Sequence, residues 1–386
     1  MNVAQECQDK NQLFTDVFNG VIPKRVPINP LFQIEMVLEY SGYSLLKEQF
    51  SLQKEIEAID TFTSEVDTDA VSAAAIRFPQ VYKILGSKNF VLGSDGFLQH
   101  PDIAGMQVED YDALISDPYK TLVETIIPRV HTELAQEPYA AGIAKAKAFF
   151  AYLSAFGAIG QANVQIAQKY GKCTIPTFAA MTEAPYDFLA DQLRSFTGVS
   201  MDIRRMPEKV GQACNALLPL MLKQACPKGP QAGSRLDQIF IPLHMAPYMR
   251  DKDFEKYWWP TFKALCEGIA ENGYGIYLFV EHDWSRFVDY LQELPKGTRM
   301  AIEYGDPKTF KDKVGAKHIL TGFYPITLLK TGTKQECVDK AKELMDVLAP
   351  GGGYIFDFDK VVLRMDDAKM ENVHAVLKTV KEYGVY

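Results

Sequence analysis

A chain of 386 residues with 47% hydrophobic and 23% charged content can bury a sizeable core and has the composition of a soluble globular protein. Its net charge of −8 argues against nucleic acid as the main partner, because phosphate binding needs a basic footprint. The opening MNVAQECQDKNQLF lacks a signal peptide's basic start and apolar stretch, and no run of about 18 apolar residues suggests a membrane span. Six scattered cysteines with no C-x-x-C pair read as reduced thiols, and with the acidic balance a cytoplasmic protein is the expectation.

In chain order, KRVPINPLFQ reads as a first strand, and residues 35–75 and 109–170 look mostly helical. From about residue 170, short apolar runs alternate with longer amphipathic ones, the signature of βα units and a parallel sheet. The expected strands are KCTIPTFAA, TGVSMD, QIFIPLHM, GIYLFVE, RMAIEY, KHILTG and GGYIFDF. Several are apolar throughout, as a strand buried on both faces should be. Between them, PEKVGQACNALLPLMLKQAC has Pro207 at a first-turn position, and TKQECVDKAKELMDVL opens with the Thr333/Glu336 capping box. The last helix, DDAKMENVHAVLKTVKEYG, ends at Gly384. Cys214, Cys266 and Cys337 fall in helical segments and read as structural. Seven or eight βα units predict an α/β fold, a single (β/α)8 barrel domain over residues 1–386. Residues 1–75 and 109–170 would be its partly helical decoration. An open doubly wound sheet is the alternative, but no G-x-G-x-x-G opens a helix after the first strand.

In such a barrel the site lies at the carboxyl ends of the strands. Those ends carry Asp202, His244 with Met245, Glu281 followed by His282 and Asp283, and Glu303 with Tyr304. In KHILTG, His318 stands at the start or middle of the apolar run. His100, His131 and His374 fall in surface-like segments. Taken alone, each remaining histidine fits a core or rim residue holding one carbonyl. As a set, Glu281, Glu303 and His318 come from consecutive strands about 4.8 Å apart and are expected to converge on one ion. Three mixed carboxylate and imidazole ligands leave a fourth position open, as a catalytic zinc needs.

The stretches GVIPKRVPI, MDIRRMPEKVGQACNALLP, QIFIPLHMAPYM, FEKYWWPTFKALCEGIAENGYGIYLFVEHDW and KHILTGFYPITLLKTGTKQECVDKAKELMDVLAPGGGYIFDF resemble the uroporphyrinogen decarboxylase superfamily, specifically its methyltransferase branch. The resemblance covers nearly the whole chain. It implies a barrel with its site at the strand carboxyl ends. The decarboxylase proper carries an arginine-rich MRQAGR-type segment for substrate carboxylates; here that region reads NPLFQIEMVLEY, without arginine. The coenzyme-M-type methyltransferases bind zinc through His-x-Cys and a distant cysteine. The matching stretches here read His318-Ile319-Leu320 and Asp357-Phe358-Asp359-Lys360, so the thiolates are missing. The chain looks instead like the aryl methyl ether O-demethylase methyltransferase I of anaerobic bacteria, for which the resemblance implies a Glu, Glu, His zinc set: Glu281, Glu303 and His318.

That resemblance implies Zn2+ on the ether oxygen of a guaiacol-, veratrol- or vanillate-like compound, and methyl transfer to the cobalamin of a partner corrinoid protein. The 12% aromatic content suits an arene pocket, with Tyr304, Phe323, Tyr324, Met245 and Tyr248 as candidate lining and Asp202 and His244 as candidate binders of a ring substituent. His282 and Asp283 are candidates to orient a ligand, and His282 would replace His318 if the latter sits too deep. A homodimer is compatible with this reading. The alternatives are a uroporphyrinogen decarboxylase-type decarboxylase, a methylcobalamin-dependent methyltransferase with another donor or acceptor, a metal-dependent hydrolase, and a non-catalytic scaffold.

Overall fold

The structure, a computed structural model, describes residues 2–75, 77–175 and 178–386. Among the described residues the strands are β1 (Phe32–Gln33), β2 (Ala73–Ala74), β3 (Val91–Leu92), β4 (Leu98–Gln99), β5 (Phe178–Met181), β6 (Gln238–Leu243), β7 (Gly275–Asp283), β8 (Arg299–Tyr304), β9 (Ile319–Tyr324) and β10 (Asp357–Phe358). β3 and β4 form a short antiparallel pair. The others are parallel: β1 pairs β2, and a six-stranded sheet runs β10-β9-β8-β7-β6-β5. Single bridges join these two pieces at both edges. Ala70 meets Cys173 ahead of β5, and Ile28 meets Phe356 ahead of β10. The sheet thereby closes on itself as an eight-stranded (β/α)8 barrel and leaves no open edge in the ring.

The strands form where both faces are covered. β9 is buried at every residue and β7 through Leu278, so their sequences carry no polar alternation. Gly322 lets β9 approach β8 closely: its φ is +88°, and a Cβ there would lie 2.5 Å from the carbonyl oxygen of Ile302. The helix Lys334–Leu348 begins at the Thr333/Glu336 capping box, where each side chain accepts from the other residue's backbone N–H. Helices Pro207–Ala225 and Met370–Tyr383 also form as expected. Cys214, Cys266 and Cys337 are buried in helices, all six cysteines are free, and burial pushes those three thiols' pKa values up.

Some elements differ from expectation. TGVSMD is not a strand but part of the helix Phe196–Arg205. Ser195 caps it by accepting from Gly198 N, and Val199, Asp202 and Ile203 recur on its buried face with helical spacing. Residues 35–75 include β2 as well as helices. Within KCTIPTFAA, Pro176 and Thr177 lie outside the described residues, and β5 begins at Phe178. GGYIFDF reduces to bridges and the two residues of β10, after three glycines with positive φ. Among the described residues, no helix is long and apolar enough to cross a membrane.

Candidate functional site

The carboxyl ends of β6, β7 and β8 meet the segment after β10 at an open cleft of about 640 Å³. Tyr248, His282, Asp283, Glu303, Tyr304 and Lys360 are on its wall. Glu303, near the end of β8, is fully engaged. Its Oε1 accepts from Lys360 Nζ at 2.6 Å and its Oε2 from His282 N at 2.8 Å. Burial opposes the Glu303 carboxylate, but Lys360 and the His282 amide outweigh it and lower the pKa. Burial likewise opposes the Lys360 ammonium, and Glu303 outweighs it, so Lys360 stays charged. His282 has φ +61°, a strained conformation held from two sides, by Glu303 on its N–H and by the Tyr248 hydroxyl 2.7 Å from Nε2. Arg286 also faces the cleft, yet its guanidinium is tied to Asp251 and to the carbonyls of Pro247 and Met249. Lys360 is therefore the cation best placed to meet a ligand.

Beside this cleft lies an acidic clamp on one histidine. His244 follows β6 directly. Its Nδ1 bonds Asp191, its Nε2 lies 3.1 Å from Glu281 Oε1, and its backbone N–H donates to Asp187 Oδ2 at 2.9 Å. Burial disfavours the imidazolium, but the two carboxylates outweigh it and push the His244 pKa up to about 12. The neighbouring acids move the other way. Burial, reinforced by the charge of Asp191, raises Asp187 to about 7 and Glu183 to about 8. Glu183 Oε1 accepts from Gln192, while its buried Oε2 has no partner. Glu183, Asp187 and Asp191 were not among the expected site residues. The available signal was the four-residue spacing of Asp187 and Asp191, which suits one side of a helical segment, with Glu183 just ahead of it.

The expected trio does not assemble. Glu281 and Glu303 are at the carboxyl mouth, but His318 precedes β9 at its amino end. Ile319 pairs with Arg299 and Gly322 with Ile302, so His318 sits five residues down the strand from the level of Glu303, roughly 16 Å away. His318 is buried, neither ring nitrogen has a partner, and burial lowers its pKa to about 4. His282 does not replace it, since its Nε2 already meets Tyr248. Glu303 has both oxygens committed. Among the described residues, no three His, Cys, Asp or Glu side chains are grouped to hold a metal ion. The ligand set implied for zinc therefore does not fit this arrangement.

Four expected lining residues also lie elsewhere. Asp202 is a buried structural anion, held by Arg194 Nε at 2.7 Å and the Tyr111 hydroxyl at 2.9 Å. Tyr324 is buried, and its hydroxyl donates to the Cys337 carbonyl behind the sheet. Phe323 packs edge-on against Phe310. Met245 is buried beside a separate void of about 50 Å³. Tyr248 and Tyr304 are exposed on the cleft wall, as expected, and Asp283 turns back to accept from Ser285 N. His131, expected at the surface, is half-buried, whereas His100 and His374 are exposed.

These features define a closed parallel barrel whose polar cleft opens at the strand carboxyl ends. A model of the uroporphyrinogen decarboxylase (URO-D) family matches residues 150–383, and the chain belongs to that family. No curated protein sequence matches it. Among solved structures it is similar to a methyltransferase from Methanosarcina mazei, with 13% identity and a TM-score of 0.64, over 97% of this chain and 98% of that one.

Proposed function

We propose that the chain transfers the methyl group of an aryl methyl ether to the reduced corrinoid of a partner protein. The observation that carries this reading is a charged Lys360 fixed by Glu303 in an open cleft whose rim bears Tyr248 and Tyr304. An aryl ether is a poor methyl donor because the oxygen must leave as phenolate, and a preoriented cation at that oxygen stabilises the charge as it develops. The reduced corrinoid supplies the electron pair that takes the methyl carbon. As the carbon–oxygen bond breaks, its pair stays on the phenolate, which Lys360 Nζ is placed to meet. Glu303 keeps that ammonium charged and oriented, and the His282 amide fixes Glu303 in turn. The tyrosine rings offer faces for the arene. The similarity in fold to a methyltransferase supports the reaction class.

The family's decarboxylase chemistry on an acidic tetrapyrrole suits this cleft less. Lys360 and Arg286 are set against Asp283, Glu303 and Asp359 on the same walls, which leaves no basic pocket for many carboxylates. The test is to mix the chain, a reduced corrinoid protein and guaiacol-, veratrol- and vanillate-type ethers, and to measure the phenol released. Release that needs both proteins supports the reading; no release from any ether contradicts it.

A further inference from the structure

The helix Pro138–Lys169 carries an apolar stripe that nothing in the described chain covers. One face packs on the body of the protein through Ala148, Ala155, Ile159 and Ile166. A second stripe begins at Tyr139 and reaches Val164 in alternating steps of four and three residues, the repeat that keeps a helix seam turned toward a partner helix. This stripe points outward. Phe150 is 74% exposed and Leu153 50%, and a Cβ added at Gly157 or Gly160 would meet nothing within 4 Å. Phe149 and Phe156 flank it and are exposed as well. At roughly 200 Å² per aromatic side chain, the three phenylalanines alone leave on the order of 400 Å² of apolar surface on each copy. That is about half of the ~800 Å² per partner in a standard interface, before the rest of the seam is added.

We propose that this seam joins two copies of the chain, with the helices antiparallel about a two-fold axis between Phe150 and Leu153. The choice of a second copy follows from self-complementarity. An antiparallel pairing centred there sets Ile143 against Gly160 and Ala146 against Gly157, so the bulkier half of each seam meets the glycine half of the other. A parallel pairing would set glycine on glycine and leave voids. Charge favours the same choice. Lys145, Lys147 and Lys169 are the only charged residues in the helix. A parallel pair would align each with its own copy, whereas the antiparallel pair puts Lys145 beside the level of Ala158.

Sedimentation equilibrium of the full chain tests this directly. The wild-type chain is expected to be a dimer. Leu153→Glu should raise the dissociation constant more than about 30-fold, the size of a hot-spot loss. Because Leu153 is half exposed on each copy, that variant should keep the wild-type circular dichroism spectrum. Ala146→Cys combined with Gly157→Cys should cross-link two copies on mild oxidation, and neither single variant should. Cross-linking by Ala146→Cys alone would overturn the antiparallel arrangement. A wild-type monomer at high micromolar concentration, a dimer unaffected by Leu153→Glu, or a monomer that binds lipid vesicles through this helix would overturn the proposal.

Discussion

His318 offers a stability test that also separates a structural histidine from a metal ligand. The residue is 2% exposed, both ring nitrogens lack partners, and burial holds its pKa at about 4. A histidine in an unfolded chain ionises near 6.5. Its folded pKa is therefore depressed, and the neutral ring contributes stability that is present above pH 6.5 and lost as pH falls toward 4. Between pH 7 and pH 4.5 this one residue should cost the chain roughly 2 kcal/mol, an upper figure since some relaxation accompanies charging. His318→Leu removes the titration and roughly keeps the volume. Urea unfolding of both proteins at pH 7 and pH 4.5 gives the comparison. The loss of stability on acidification should be smaller in the variant by about that amount, and the metal content of the purified protein should not change. Equal acid sensitivity in both proteins would refute the reasoning about burial. Loss of bound zinc on His318→Leu would restore the residue to a ligand set.

Three further outcomes are expected. Asp191→Asn should lower the His244 pKa by about 1–3 units, because one of two opposing charges is removed. An NMR titration to pH 11 should then find a midpoint for the variant, and wild-type His244 should stay protonated from pH 5 to 9. Lys360→Met should reduce turnover by about 10²–10³-fold, the usual loss of one preoriented donor, with little change in melting temperature. Gly322→Ala should destabilise the fold by roughly 1–3 kcal/mol, because φ +88° and the nearby Ile302 backbone leave no room for a methyl group; thermal melts measure it.

The barrel was legible where the strands are buried on both faces. The apolar runs of β6 to β9 can hardly be anything else at their length. The polarity of those runs also held information that the expected zinc trio ignored. In KHILTG the histidine leads the run, and in a parallel barrel a leading residue faces the amino mouth, not the site. TGVSMD looked extended because Thr197 and Val199 are β-branched, while the Val199, Asp202, Ile203 spacing was helical. The clamp on His244 had a local signature in Glu183, Asp187 and Asp191. The pair of Glu303 with Lys360 had none, because 57 residues separate partners that only barrel closure brings together. For the helix Pro138–Lys169, composition alone did not show which apolar face would remain uncovered.

Methyl transfer is followed most directly with an ether labelled with 13C in its methoxy carbon. Incubated with the chain and a reduced corrinoid protein, the label should move to the corrinoid, one equivalent for each phenol released, and Lys360→Met should slow that transfer by the factor given above. A label that stays on the ether while the corrinoid remains reduced would contradict the proposed function.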